Sequence, residues 1–172
     1  MYPYSDKDIK LNDKFVNSPY SNLDKIDWSY LSNGVAVNFH GDLHFENIIL
    51  TKKNEFVFLD WRQSFNSELK YGDIYYDLSK LLHGILLPHS IVSKGEYTIT
   101  ESEQSVETKI NIPDENKKIA AYFEQWCNEN NFDFKKVKLI CSLIYLNIAS
   151  LHHHPYSKFL FYYGVEMLSD EI

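Results

Sequence analysis

One short stretch decides the fold: HGDLHFEN, residues 40–47. A β-branched and aromatic run, residues 35–39, comes directly before it, and two more apolar runs, residues 48–50 and 56–59, follow it. Short apolar runs of this kind, separated by polar turn residues, are typical of strands, and the last two predict a tight hairpin. The pattern therefore predicts a strand, a polar loop and a hairpin that ends at Asp60.

The polar loop has the spacing H-x-D-x-x-x-x-N, which is set by His40, Asp42 and Asn47. In kinases, a loop with this spacing places the Asp against the substrate hydroxyl and the Asn against a metal ion. Phosphoryl transfer depends mostly on positioning and charge neutralisation, so a second carboxylate is needed to hold the metal. Because the hairpin returns to its start, Asn47 and Asp60 should lie side by side near Asp42.

Apolar residues at helical spacing predict helices in the rest of the chain. One begins near Asp73, another opens after Pro113, a third starts near Asp133, and a last one covers residues 159–168. Between the first two, residues 93–112 alternate weakly and are interpreted as a surface hairpin inserted between helices.

Three further segments continue the motif: LDW at residues 59–61, GD at 72–73 and DL at 77–78. Together with residues 40–50 they resemble the aminoglycoside phosphotransferase and choline kinase superfamily, which has a protein-kinase-like fold. The resemblance covers residues 35–168 and corresponds to the C-terminal lobe. It implies an α+β fold: a mainly helical kinase-like C-lobe with a small catalytic β-hairpin and an inserted hairpin.

The resemblance also implies roles for the motif residues. Asp42 would be the catalytic base, Asn47 and Asp60 would bind Mg²⁺, and His40 would be a structural brace for the loop. The phosphate donor would be ATP, and the acceptor would be a hydroxyl of a small molecule such as a sugar, an amino alcohol or an aminoglycoside-like compound. The chain would then be a kinase-type phosphotransferase.

Other residues of the motif have supporting or open roles. In this family an acidic residue of the later motif ties down the catalytic loop, and either Asp73 or Asp77 could do so here. His44 and Glu46 are second-tier candidates for contact with substrate or phosphate, although loop residues at such positions are commonly surface. Arg62 is a further second-tier candidate, at a position where protein kinases have a different residue.

A complete kinase of this type needs a glycine-rich phosphate loop and a lysine on a strand. Before Gly41 the sequence has a single glycine, Gly34, and its lysines lie in polar surroundings. The N-terminal lobe is therefore expected to be missing, through truncation, supply by another chain or loss in a degenerate kinase. Residues 1–34 are interpreted as a partly helical lead-in, and residues 35–172 as the C-lobe of a single domain. A partner lobe or a second copy of the chain would cover the apolar surface left open.

Composition excludes some classes of protein. Lys and Arg total 17 against 24 Asp and Glu, a net charge of −7, which opposes binding to nucleic acid. No apolar run is long enough to span a membrane and the N-terminus has no signal-peptide core, so we expect a cytoplasmic protein. Cys127 and Cys141 fall within helical patterns, where buried, reduced thiols are expected.

Two alternatives stay open at this stage. The first is a non-catalytic, pseudokinase-like module that binds a partner or a metabolite. The second is a metal-dependent phosphoester hydrolase, in which His40, Asp42 and His44 would be the metal ligands.

Overall fold

The computed structural model describes residues 6–65, 67–103 and 105–172. The helices in these residues are α1 (Pro19–Asp24), α2 (Trp28–Ser32), α3 (Ile74–Leu86), α4 (His89–Val92), α5 (Asp114–Glu129), α6 (Phe134–Ala149) and α7 (Tyr156–Glu171). The strands are β1 (Ile9–Leu11), β2 (Lys14–Val16), β3 (Ala36–Val37), β4 (Ile48–Leu50), β5 (Phe56–Phe58), β6 (Gly72–Asp73), β7 (Tyr97–Glu101) and β8 (Ser105–Ile110). The mixed α+β composition agrees with the sequence-based expectation.

Three long helices, α3, α6 and α7, form the centre of the molecule. Helix α3 buries Leu78, Leu82 and Ile85, which recur at helical spacing and therefore line one face. Tyr145 of α6 and Tyr162 of α7 are fully buried against this core. Removal of this apolar area from water is the main stabilising contribution to the packing.

Three of the four predicted helix starts are confirmed, whereas the last helix, predicted over residues 159–168, is longer and begins at Tyr156. Asp73 is the N-cap of α3 and accepts a hydrogen bond from the backbone N–H of Tyr75 at 3.1 Å. Asp133 caps α6 in the same way through the N–H of Lys136 at 3.2 Å, and Pro113 directly precedes α5. Each capping carboxylate accepts an N–H that has no partner within its helix, which explains why these residues mark the starts.

The expected strand and the hairpin after the polar loop are also present, and the strand is shorter than predicted. Strands β4 and β5 pair antiparallel with Ile48 opposite Phe58, as predicted. The strand expected over residues 35–39 is shorter: β3 contains two residues and pairs with β6, so that Ala36 lies opposite Asp73. This pairing fixes the chain before the polar loop to the start of α3.

A four-stranded sheet with the order β2-β1-β8-β7 packs against α7. Its β7–β8 part is the inserted hairpin predicted from the sequence, whereas β1 and β2 were not predicted. β1 and β2 are joined by Asn12 and Asp13, which have φ values of 49° and 66°. Two consecutive left-handed residues form the tight turn that suits a hairpin. The lead-in therefore contains this hairpin in addition to the two short helices α1 and α2.

The side chain of Asn12 connects this sheet to α7. Its Nδ2 donates to Oγ1 of Thr108 at 2.8 Å and to Oε2 of Glu166 at 2.7 Å, while its Oδ1 accepts the N–H of Thr108 at 2.7 Å. The inserted hairpin is thus held by the lead-in and by the last helix together.

Two smaller expectations can also be compared with the structure. Cys127 and Cys141 are buried, unpaired thiols, as expected, and burial raises the pKa of Cys127 to about 11. In the described part of the chain, no helix is long and apolar enough to cross a membrane.

Candidate active site

The polar loop, residues 40–47, is attached to α3 by one buried carboxylate. Oδ2 of Asp77 accepts the backbone N–H of His40, and its Oδ1 accepts the backbone N–H of Gly41, each at 2.7 Å. Asp77 is only 4% exposed, so these hydrogen bonds are shielded from water. They fix the backbone directly before Asp42.

Gly41 is required at its position for two reasons. Its φ of 79° is in the left-handed region, which side chains disfavour. In addition, a Cβ atom here would lie 2.7 Å from Cβ and Cγ of Arg62 and 2.9 Å from Cε2 of Phe39. The tight turn at Gly41 therefore allows the loop to pass closely against the segment that carries Arg62.

Asp42 is paired with two cations. Its Oδ1 lies 2.8 Å from Nζ of Lys80, and its Oδ2 accepts a hydrogen bond from Nη2 of Arg62 at 2.9 Å. Burial opposes ionisation of Asp42, but the hydrogen bond and charge of Lys80, assisted by His44 and Arg62, outweigh it and hold the pKa of Asp42 below its ordinary value. Asp42 is therefore a carboxylate at neutral pH.

One face of α3 contacts the polar loop at several successive loop residues. Asp77, Lys80 and Gly84 are spaced i, i+3 and i+7, so they share one face of the helix. Asp77 binds the backbone at Gly41 and Lys80 binds Asp42, while a Cβ at Gly84 would lie 3.4 Å from Cβ of His44. The helix thus contacts successive loop residues turn by turn, and the absence of a side chain at Gly84 allows close approach.

His40 is a buried ring inside this loop. Its Nδ1 accepts the backbone N–H of Asp42 at 3.2 Å, and its ring centroid lies 4.9 Å from that of Trp61 and 6.3 Å from that of Phe58. Its Nε2 is buried and has no hydrogen-bond partner among the described residues. This geometry suits a brace for the loop.

Asn47 and Asp60 lie at the open end of the hairpin. The backbone N–H of Leu59 donates to the carbonyl of Asn47 at 2.8 Å, which places Asn47 beside the residue that precedes Asp60. Nδ2 of Asn47 donates to the carbonyl of Asp42 at 3.0 Å. Asp60 has a φ of 55° and an exposed side chain.

The side-chain oxygens of Asn47 and Asp60 are suitable ligands for Mg²⁺. In the described residues, Oδ1 of Asn47 and the carboxylate of Asp60 have no hydrogen-bond donor within the protein, and both are hard oxygen ligands. Mg²⁺ is usually held by one or two protein oxygens, with phosphate and water completing its shell. The side chains of Asn47 and Asp60 are therefore the groups that would hold the ion.

The side chains of His44 and Glu46 are hydrogen-bonded to each other. Nδ1 of His44 lies 2.8 Å from Oε2 of Glu46, while its Nε2 lies 3.8 Å from Oδ1 of Asp42. Among residues 6–65, 67–103 and 105–172, no group of three or more His, Cys, Asp or Glu side chains is placed to hold a metal ion. The hydrolase alternative, which needs His40, Asp42 and His44 as ligands, thus finds no support in this part of the chain.

Asp73 and Asp77, which the sequence could not distinguish, have different places in the structure. Oδ1 of Asp73 accepts the N–H of Val35 at 3.0 Å as well as that of Tyr75, so it joins β3 to the start of α3. Asp77 is the residue that binds the polar loop.

Two cavities adjoin the Asp42 carboxylate. One has a volume of about 410 Å³ and the other of about 340 Å³, and both are lined by Asp42, Arg62 and Lys80. The larger cavity is also lined by residues that the sequence analysis left outside the site: His83, His89, His152 and Tyr156.

Lys80 is the main omission of the sequence analysis. It follows Asp77 by three residues on a predicted helix, so it had to share the face of the loop-binding carboxylate. The sequence signal that could have identified Lys80 was therefore a lysine about one helical turn after an aspartate of the motif.

The protein-family model described as the phosphotransferase enzyme family matches residues 22–93 of the chain. The matched residues run from α1 to the end of α4. They include the polar loop, the hairpin and the face of α3 that contacts the loop. Searches of curated proteins and of solved structures found no match. The family match and the motif geometry together show that residues 22–93, which include the polar loop and the hairpin, are similar to the phosphotransferase enzyme family.

Proposed function

We propose that this chain forms the catalytic lobe of a small-molecule kinase, which transfers the γ-phosphoryl group of ATP to a hydroxyl. The observation that carries the proposal is the double hydrogen bond from Asp77 to the backbone of His40 and Gly41. It fixes the backbone directly before Asp42, in the same loop as Asn47, and this supports a role of the loop in positioning groups for phosphoryl transfer.

In the proposed reaction, the carboxylate of Asp42 accepts the proton of the acceptor hydroxyl. The hydroxyl oxygen forms a bond to the γ-phosphorus, the bond from that phosphorus to the β,γ-bridging oxygen breaks, and ADP leaves with the bonding electrons. Asp42 is ionised at neutral pH because Lys80 and Arg62 stabilise its charge. General-base assistance of this kind contributes about 10²–10⁴-fold to a rate.

Asn47 and Asp60 would bind Mg²⁺, which neutralises the charge of the phosphate groups when it is bound. The carbonyl of Asp42 accepts from Nδ2 of Asn47, so the amide nitrogen is used for loop structure and Oδ1 remains for the ion. The backbone hydrogen bond between Leu59 and Asn47 keeps the two sides of the hairpin end together.

The β4–β5 hairpin and the segment directly after it expose large apolar side chains. Leu50 is 59% exposed, Phe56 is 64% exposed and Trp61 is 53% exposed. Exposed apolar side chains beside the proposed phosphate site would suit contact with a nucleotide base and with a covering segment. We include in the proposal that a nucleotide-binding lobe, supplied by another chain or another part of the protein, covers this surface during turnover.

The test combines metal binding with phosphoryl transfer. Mn²⁺ with a non-hydrolysable ATP analogue should broaden the NMR signals of the Asn47 side-chain amide, and Asp60→Asn should abolish this broadening. With Mg²⁺, ATP, a complementing nucleotide-binding lobe and a pool of hydroxyl compounds, Asp42→Asn should lower phosphoryl transfer by about 10²–10⁴-fold. Glu55→Gln in the hairpin turn is the matched control and should behave as wild type.

A second candidate, a binding module without transferase activity, is favoured by one observation: both carboxylate oxygens of Asp42 are already paired with cations. It predicts that the nucleotide analogue and Mn²⁺ still bind but that Asp42→Asn changes no reaction, even with a complementing lobe present. Broadening centred away from Asn47 and Asp60 would instead contradict both candidates.

A further inference from the structure

The two oxygens of the Asp42 carboxylate have partners of very different exposure. Oδ1 lies 2.8 Å from Nζ of Lys80, whose side chain is 11% exposed, and 3.8 Å from Nε2 of His44. Oδ2 accepts a hydrogen bond from Nη2 of Arg62, whose side chain is 59% exposed. Within the described part of the chain, Arg62 is the only hydrogen-bond or ion-pair partner of Oδ2. One oxygen is therefore enclosed by the protein, whereas the other is covered by a surface side chain.

The stem of the Arg62 side chain is held in place, but its guanidinium group is not. The backbone N–H of Arg62 donates to the carbonyl of His40 at 2.8 Å. Cβ and Cγ of Arg62 pass so close to Gly41 that a Cβ there would lie 2.7 Å from each of them. The guanidinium has several N–H donors, and among the described residues Asp42 is its one partner. The end of the side chain can therefore turn about a fixed stem towards another acceptor.

The pair between Arg62 and Asp42 is weak in comparison with a contact to phosphate. An ion pair with one exposed side chain adds little to stability, because water and salt screen the charge and a long side chain loses freedom when it is held. A guanidinium group binds phosphate through two parallel, charge-assisted hydrogen bonds, which are among the strongest in proteins. A phosphate group within reach would therefore draw Arg62 away from Asp42.

The phosphate groups of a nucleotide would come within this reach. Arg62 follows Asp60 by two residues, so their Cα atoms are at most about 7 Å apart. Asp60 and Asn47 are the groups that would hold Mg²⁺ and, through it, the phosphates. Arg62 also lines both cavities beside Asp42. Its guanidinium group thus borders the space in which the acceptor and the phosphate would meet.

We propose that Arg62 leaves Asp42 when nucleotide binds and contacts the γ-phosphate, which opens Oδ2 of Asp42 to the acceptor hydroxyl. Lys80 stays on Oδ1 and keeps the carboxylate oriented. The inference rests on the proposed function, since it assigns Arg62 a second position at the same site. It also accounts for the double pairing of Asp42 that favours a binding module: the carboxylate is closed in the free chain and opens with the nucleotide.

The movement can be measured without phosphoryl transfer. Tripolyphosphate with Mg²⁺ has the phosphate chain of ATP and no base, so the chain can be titrated with it in the absence of a nucleotide-binding lobe. The carboxyl ¹³C signal of Asp42 reports on the departure of Arg62, and the side-chain amide signal of Asn47 reports on binding at the hairpin end. Both signals are followed at constant neutral pH in wild type and in Arg62→Gln.

In wild type, the Asp42 signal should move towards the position that it has in ligand-free Arg62→Gln. In Arg62→Gln, tripolyphosphate should leave the Asp42 signal in place, because no pair is broken, while the Asn47 amide still responds. Tripolyphosphate should bind Arg62→Gln about tenfold more weakly, the effect of one charge-assisted contact. The affinity of Arg62→Lys should lie between the two, since an ammonium group retains the charge without the planar fork.

Lys14→Gln is the matched control for the loss of charge. Lys14 pairs with Asp170 between β2 and α7, and both side chains are about half exposed, so the variant removes one positive charge from a comparable ion pair. It should bind tripolyphosphate as wild type does and retain the movement of the Asp42 signal.

A response of the Asn47 amide without movement of the Asp42 signal would overturn the inference and leave the proposed function standing. Equal movement of the Asp42 signal in wild type and in Arg62→Gln would do the same, because the change would then arise from the ligand and not from Arg62. The absence of a response at Asn47 in every variant would contradict the proposed function, and the inference with it.

Discussion

Asp77 binds Gly41: its Oδ1 accepts the backbone N–H of Gly41 at 2.7 Å, while its other carboxylate oxygen accepts the N–H of His40. A single side chain of α3 thus satisfies two consecutive backbone donors of the polar loop. The arrangement needs two acceptor oxygens, and this requirement separates a carboxylate from an amide.

Asp77→Asn should lower the free energy of unfolding by about 1.5–3 kcal/mol, since the amide leaves one buried N–H facing another donor. The matched control is Asp73→Asn. Asp73 accepts the N–H of Val35 and of Tyr75 through Oδ1 alone, which an amide oxygen can replace, so its loss should be smaller. Urea unfolding of both variants measures the difference, and equal losses would contradict the role assigned to Asp77.

Gly41→Ala should destabilise the protein more than Gly95→Ala does. Both glycines have positive φ, 79° and 68°, so both variants carry the left-handed backbone cost of about 1–2 kcal/mol. A Cβ at Gly95 meets no atom within 4 Å, whereas one at Gly41 overlaps Arg62 and Phe39. The overlap should add about 1–3 kcal/mol. Chemical denaturation compares the pair, and identical losses would show that the loop relaxes away from the Arg62 segment.

Lys80→Met should change stability in a pH-dependent way. The pKa of Asp42 is below its ordinary value, so ionised Asp42 stabilises the folded state above about pH 4, and this contribution is lost as pH falls through the folded-state pKa. Without Lys80 the pKa of Asp42 should rise, and at neutral pH the protein should lose about 1.5–3 kcal/mol. The loss should shrink towards acid pH.

The carboxyl ¹³C signal of Asp42, titrated in wild type and in Lys80→Met, measures this shift directly. Lys14→Met is the control, because its ion pair with Asp170 is about half exposed on both sides and should contribute about 0–1 kcal/mol. An unchanged pKa of Asp42 in Lys80→Met would show that Arg62 and His44 alone keep it ionised.

His83→Phe should flatten the pH dependence of stability between about pH 6.5 and pH 3. Burial, assisted by the charge of Lys80, lowers the pKa of His83 to about 3. The unfolded chain therefore binds a proton in this range that the folded chain does not, so wild-type stability falls as pH drops below about 6.5. Unfolding free energies across this range test the effect. His153→Gln should retain the wild-type dependence, and an equally steep slope in His83→Phe would contradict this account.

The local elements of the site could be predicted because their determinants lie within a few residues. The hairpin followed from two apolar runs and a turn, and the starts of α3 and α6 followed from Asp73 and Asp133, whose side chains cap the next turn of their own helices. Hydrophobic periodicity and capping act over one or two turns, so a single sequence contains them in full.

Other features depend on residues that are distant in sequence. β1 pairs in parallel with β8, with Lys10 opposite Ser105, so the short β1–β2 hairpin of the lead-in belongs to a sheet whose other strands lie in the inserted hairpin. His152 lies in the loop after α6, far from the motif in sequence, and the tertiary structure brings it to the cavity beside Asp42.

The sequence by itself determined the spacing of Asp42, Asn47 and Asp60, the hairpin that joins the last two, and the helix that begins after Asp73. The tertiary structure decided that Asp77 holds the loop and that Lys80 neutralises Asp42. The physical reason is that spacing and periodicity are properties of neighbouring residues. Which buried charges meet depends on how α3 packs against the loop, and that is fixed only when the whole core of α3, α6 and α7 has formed.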